Sequence, residues 1–128
     1  MKSDEPMSLH TSFQIGGPAD IYTVPEDESD LVQIAGIAHA EEVPLFVLGD
    51  GANILVADGG MRGIVMDMSK FSSIEVHETH VHCGAGAEMS RVVEAAAKRQ
   101  LSGLEFIYKM PGSVGGSLWM NARCYGIS

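Results

Sequence analysis

Three glycine-rich stretches carry the strongest chemical signal in this chain: Gly49-Asp50-Gly51-Ala52-Asn53, Gly84-Ala85-Gly86-Ala87 and Pro111-Gly112-Ser113-Val114-Gly115-Gly116-Ser117. Glycine removes the side chain where backbone must approach a ligand closely, and successive backbone N–H groups form a cradle for anions. Neither common nucleotide fingerprint is present. In the first stretch the sixth position of the G-x-G-x-x-G pattern is Ile54, and an extended segment follows where a helix should open. The second stretch lacks the third glycine, and no Gly-Lys-Ser/Thr of a Walker loop occurs. Read singly, each stretch is a tight turn. Three in one small chain, each following an apolar or extended segment, point to a dinucleotide held by several backbone donors.

Other reactive groups point to less. His77, His80, His82 and Cys83 offer imidazole and thiolate, the usual zinc ligands. Strand alternation sends His80 and His82 to one face and Val81 and Cys83 to the other, so the thiol cannot join that pair without a bulge, and no metal centre is expected there. Glu26, Asp27, Glu28 and Asp30 read as the polar start of a helix, not as an acid–base pair. Trp119 and Met120 read as core. Asn121, Arg123 and Tyr125, strung among glycines, suit ligand contact as well as turn building.

These residues need elements to hold them. Residues 1–10 are polar and unpatterned and read as a frayed lead-in, followed by a turn at Gly16-Gly17-Pro18 and a short edge strand from Ala19 to Val24. Pro25 and the acids after it predict a helix over 27–42, with Leu31, Ile34, Ala35 and Ala38 on one face. Leu45–Leu48 is a continuous apolar run of the kind found in buried strands, which completes a β-α-β unit. Asn53–Val56 and Gly63–Met66 predict strand, turn, strand. Ile74–Val76 and Val81–Cys83 predict a hairpin about Glu78-Thr79. From Glu88 to Gln100, Met89, Val92, Val93, Ala96 and Ala97 form one helical apolar face that Gly103 can terminate. A composition shift over 60–74 divides the chain into a first lobe over 11–70 and a second over 71–128.

At 128 residues, 45% of them hydrophobic and 20% charged, the chain has the size and content of a folded domain and not of a disordered one. Eight Lys and Arg against seventeen Asp and Glu give a net charge of −9, which disfavours nucleic acid as a partner. Apolar runs fall short of the ~18 residues that span a bilayer, and the first residues lack a signal-peptide core, so a cytoplasmic protein without a membrane partner is expected. The two cysteines are expected as free thiols. The acids crowd into the first half, where Lys2 is the sole base before Arg62. A phosphate bound there must be held by backbone N–H groups more than by cationic side chains.

Five ordered motifs then carry a family resemblance: Thr11-Ser12-Phe13-x-x-Gly16-Gly17-Pro18-Ala19, Leu48-Gly49-Asp50-Gly51-Ala52-Asn53-Ile54-Leu55, Gly103-Leu104-Glu105, Pro111-Gly112-Ser113-Val114-Gly115-Gly116 and Met120-Asn121-Ala122-x-x-Tyr125-Gly126. From about His10 to Gly126 the chain resembles the UDP-N-acetylenolpyruvoylglucosamine reductases of peptidoglycan-precursor synthesis. The resemblance implies an α+β fold, the two-lobed FAD-binding domain of the vanillyl-alcohol-oxidase (PCMH) type, with the second lobe incomplete and the substrate-binding domain absent. It implies FAD as cofactor, NADPH as reductant and a nucleotide-sugar substrate. By resemblance Gly49, Asp50, Gly51, Ala52, Asn53 and Ile54 would contact FAD, together with Met110, Pro111, Gly112, Ser113, Gly115, Gly116 and Ser117. Asn121, Ala122, Tyr125 and Gly126 would line the same cleft.

The chain departs from the family pattern at two places. Ala52 stands where a serine is usual, a loss of about 1 kcal/mol of phosphate contact, and Arg123-Cys124 replaces a pair of small residues. The family's Tyr-Arg motif, proton-donating serine and catalytic glutamate lie beyond Ser128, so the chain holds no catalytic residue by resemblance and is expected to be inactive alone. The alternatives are a non-catalytic FAD- or nucleotide-binding fragment and a different FAD oxidoreductase of the same superfamily. An unfinished second lobe also implies marginal stability and self-association.

Overall fold

Local chemistry starts the first helix. Asp27 accepts a hydrogen bond from the Asp30 N–H at 2.9 Å, and Glu28 and Asp30 put negative charge at the positive end of the helix dipole, giving α1 (Glu28–Ala40). The computed structural model describes residues 1–124 and 126 and divides into two units, Met1–Lys70 and Phe71–Ser128.

The first unit is a four-stranded sheet in the order β1-β2-β4-β3, with β1 at Lys2–Pro6, β2 at Pro18–Thr23, β3 at Leu45–Leu48 and β4 at Met61–Asp67. β1 runs antiparallel to β2, whereas β2 and β3 both lie parallel to β4. α1 therefore joins two parallel strands that are not neighbours, and β4 is laid between them. Four expectations are corrected. Residues 1–10 are not frayed: backbone pairing with β2 orders them despite their polarity, and a 3₁₀ turn at Met7–Leu9 drives Met7 to 0% exposure. β2 is consequently interior and not an edge strand. β3 is the edge, and although Leu48 is buried, Val47 is 55% exposed, so its apolar run is not a buried strand. Asn53–Val56 pairs with no strand and remains a turn-containing loop. The core joins Met7, Ala19, Tyr22, Leu48, Val56 and Val65.

In the second unit β5 (Ile74–His77) and β6 (His80–Cys83) form the antiparallel hairpin, turned at Glu78, which takes the positive φ of 51° usually given to glycine. α2 (Met89–Lys98) buries Met89, Val92, Val93 and Ala96. Gly103 does not terminate it. Gln100 does, at φ 61°, with its N–H on the Ala97 carbonyl at 2.9 Å and the Leu101 N–H on the Ala96 carbonyl at 3.0 Å. α3 (Val114–Trp119) is short, and Val114 joins the core of Met89, Val93 and Ile107. Trp119, expected in the core, is 89% exposed, and Met120 is exposed with it. Gly115 and Gly116 supply no side chains to seat this helix more deeply, so its C-terminal end projects outward.

Two measurements follow. Met7→Ala should cost about 2–5 kcal/mol in denaturant unfolding, the range for emptying a buried methionine site; a loss under about 0.5 kcal/mol would mean that the N-terminal segment is undocked. Glu5 accepts hydrogen bonds from Lys2 at 2.6 Å and His10 at 2.9 Å, and these, Lys2 foremost, hold its carboxyl below the ordinary 4.5. A depressed folded pKa contributes stability above the unfolded value that is lost as pH falls through the folded one. The melting temperature should therefore drop on acidification below 4.5 more steeply in the native chain than in Glu5→Gln; equal slopes would remove Glu5 from the docking of β1.

Candidate functional site

The loop over 49–53 leaves the edge strand β3 and is held from below by the segment over 7–17. The Ser12 N–H donates to the Gly51 carbonyl at 3.0 Å, the Gly17 N–H to the Ala57 carbonyl at 3.0 Å, and the Met7 N–H to the Gly17 carbonyl at 3.1 Å. Within the strap, the buried Thr11 hydroxyl donates to the Ile15 carbonyl at 3.0 Å, which fixes the turn through Phe13 and Gln14. At the strap's base, the His10 ring stacks on Tyr22 with centroids 4.1 Å apart, and the Tyr22 hydroxyl donates to Asp67. Burial, and then the Asp67 carboxylate, push the Tyr22 phenol far above its ordinary range, so it stays protonated and serves as a fixed donor.

Clamped in this way, the loop keeps its own donors free. Among the described residues, the backbone N–H groups of Asp50, Gly51, Ala52 and Asn53 donate no hydrogen bond, while the Gly51 carbonyl is taken by Ser12. Four consecutive unpaired N–H groups are the donor set that a phosphate requires, and Asn53 adds an exposed amide beside them. No Lys or Arg lies between Lys2 and Arg62, and Lys70, the last cation of this unit, is paired with Glu26 at 2.7 Å. Arg62 is already engaged by Asp20 at 2.6 Å and the Gly59 carbonyl at 2.9 Å.

The stretch over 110–126 is built differently. At the start of α3 the Val114 N–H donates to the Ala87 carbonyl at 2.9 Å, the Gly115 N–H to Ala85 at 2.8 Å, and the Gly116 N–H to the Ser113 hydroxyl at 3.3 Å. The helix start is therefore satisfied by the protein, which leaves the Gly112 and Ser113 N–H groups unpaired among the described residues. Met110 closes the preceding turn by donating to the Ile107 carbonyl at 3.0 Å, and Pro111 is exposed. At the other end Asn121, at φ 45°, donates to the Leu118 carbonyl at 3.1 Å, and Ala122 to the Ser117 carbonyl at 2.9 Å. This pattern makes Asn121 a helix-closing residue as well as a ligand candidate. Gly126 has open space around it, and Tyr125 lies outside the described residues. The remaining stretch, over 84–87, is a turn: the Gly84 N–H bonds to the Ser73 carbonyl, and the Gly86 N–H to that of Phe71.

Sequence reasoning missed the strap. Thr11, Ser12, Gly16 and Gly17 marked a motif without a role in the site, and the signal that could have found them was their motif-like spacing in an otherwise unpatterned stretch. Gly51 also changes meaning, because its φ is +67° and a Cβ there would collide with the His10 carbonyl oxygen. The glycine makes room for the protein's own backbone. Gly51→Ala should therefore destabilise the chain without any cofactor, by more than the roughly 1 kcal/mol that a positive φ costs alone. Gly59→Ala, with nothing within 4 Å of its Cβ, should leave the melting temperature within about 2 °C. Equal melting temperatures for the two variants would show that the strap does not press on the loop.

Known proteins agree with this architecture. Residues 19–128 match the family model described as an FAD binding domain. The chain is 42% identical over 127 residues to a UDP-N-acetylenolpyruvoylglucosamine reductase from Clostridioides difficile, covering 98% of this chain and 42% of that protein. Among solved structures, a UDP-N-acetylenolpyruvylglucosamine reductase from Thermus caldophilus superposes with a TM-score of 0.78 at 31% identity, over 95% of this chain and 42% of that one. A cholesterol oxidase from Brevibacterium sterolicum gives 0.64 at 25% identity, over 79% and 21%. The chain spans about two fifths of the length of the curated relatives it matches. The sheet of the first unit, the hairpin and helices of the second, and the match over 19–128 agree: the chain belongs to the FAD binding domain family, with the α+β fold of that family.

Proposed function

We propose that this chain is the FAD-holding part of an NADPH-dependent reductase that converts UDP-N-acetylglucosamine enolpyruvate to UDP-N-acetylmuramate in peptidoglycan-precursor synthesis in the cytoplasm. The observation that carries the reading is the run of four free N–H groups at Asp50–Asn53, aligned by Ser12 on the Gly51 carbonyl. Those donors would hold one end of the FAD diphosphate. Gly112 and Ser113, with free N–H groups, and Ser117 and Asn121, with polar side chains, are further candidates for cofactor contact, and Ala85 and Ala87 keep the backbone between Ser113 and Gly116 in place. Bound FAD supplies a two-electron carrier; the chain contributes binding and orientation. Among the described residues no helix is long and apolar enough to cross a membrane.

The donor count ranks the two loops. Because the helix start at Val114–Gly116 is already satisfied, the loop over 49–53 should dominate phosphate affinity. Ala52→Ser, which adds a hydroxyl donor there, should tighten FAD binding by about fivefold, the equivalent of one hydrogen bond of about 1 kcal/mol. FAD titration followed by fluorescence anisotropy measures it. A folded chain that leaves the anisotropy of FAD unchanged would overturn the reading. With NADPH and the enolpyruvyl substrate added, binding without turnover assigns cofactor holding alone to this chain, and substrate-dependent NADPH oxidation assigns it the whole reaction.

A further inference from the structure

The β5–β6 hairpin carries a cluster that cofactor binding leaves unused. Its register pairs Glu75 with His82 and His77 with His80, and all four side chains share the exposed face, while Ile74, Val76, Val81 and Cys83 take the half-buried one. Directly opposed residues in an antiparallel pair lie on one side, with diagonal neighbours within reach of long side chains. Alternation along β6 removes Cys83 from the histidine pair; the turn register adds His77 and Glu75 to it. His77 and His82 stand diagonally across the strands, ring centroids 5.8 Å apart and planes at 75°.

That spacing suits a shared metal ion. With metal–nitrogen bonds of ~2.0–2.1 Å and a nitrogen about 1.1 Å from its ring centre, two imidazoles on one ion have centroids roughly 5–6.5 Å apart. His77 Nε2 lies 3.2 Å from Glu75 Oε2. When a neutral imidazole donates one ring N–H to a carboxylate, its other ring nitrogen carries the lone pair that a metal takes. The electrostatic setting favours a cation as well, since no Lys or Arg occurs between Lys70 and Arg91, whereas Glu75, Glu78 and Glu88 do.

We infer that the exposed face of this hairpin is a binding site for a divalent d-block cation of the zinc, nickel or copper(II) class, with the imidazoles of His77 and His82 as its protein ligands and Glu75 beside them. Among the described residues no three ligating side chains are gathered into a closed shell, so water completes the coordination. This is the open arrangement of an exchangeable site, distinct from a structural zinc centre.

Calorimetric titration of the untagged chain with Ni²⁺ alone, and then with Zn²⁺ alone, tests the assignment. One ion should bind per chain, and His77→Gln and His82→Gln should each weaken binding by about tenfold or more, since loss of a ligand costs at least what loss of its supporting partner does. Cys83→Ser and His39→Gln should leave the affinity unchanged. Because the hairpin histidines are exposed, circular dichroism of all four variants should match the native chain. In the native chain, substoichiometric Cu²⁺ should broaden the imidazole proton signals of His77 and His82 before those of His10 and His39. Undiminished affinity in the two hairpin variants, loss in Cys83→Ser, or equal broadening of every histidine would overturn the proposal.

Discussion

Backbone pressed directly on backbone is the contact on which the first unit depends. The carbonyl of His10 sits where a side chain at Gly51 would have to be, and the carbonyl of Asp58 occupies the same position against Gly17. No side chain intervenes: the Ser12 N–H bonds the Gly51 carbonyl of the loop over 49–53, and the Gly17 N–H bonds the Ala57 carbonyl just beyond it. With the Gly51 carbonyl bonded to Ser12, the neighbouring N–H groups donate to no group among the described residues. Glycine here lets two stretches of chain meet closely while one of them keeps its donors unpaired. In a half-chain so poor in cations, fixed backbone donors are the positive groups that this loop presents.

Where the sequence carried a local signal, the fold was legible. Asp27 and the acids after it announced α1, the apolar stripe from Met89 to Ala96 announced α2, and the alternation on either side of Glu78-Thr79 announced the hairpin. What failed was whatever depended on partners far along the chain. Polar residues 2–6 have no strand pattern of their own and become a strand only because β2 offers an open edge. Leu45–Leu48 looked buried on composition, yet β4 takes the central place and leaves β3 outside. Trp119 looked like core because aromatic residues usually are, but a six-residue helix with two glycines has too little surface to bury it.

The candidate site divides along the same line. That glycine-rich stretches should carry free N–H donors could be read directly from residue types. Which donors remain free could not, because it is decided by carbonyls at Ala85 and Ala87 that claim the start of α3, and by Ser12, which claims a carbonyl and leaves the N–H groups alone. Asn121 shows how one residue satisfies two readings at once, since the left-handed conformation that closes α3 also leaves its amide exposed.

The position of β4 has a consequence for synthesis. It is the last strand of its sheet in the chain and the one to which both β2 and β3 are parallel, so neither can complete its ladder until Asp67 has been made. At about 5–20 residues per second, the interval from Thr23 to Asp67 lasts roughly 2–9 s on the ribosome. Throughout that interval β2 has only β1 as a partner, and its other edge stands open. The antiparallel pairing of residues 2–6 with β2 draws only on residues made before the central strand, and it covers one of the two edges of β2.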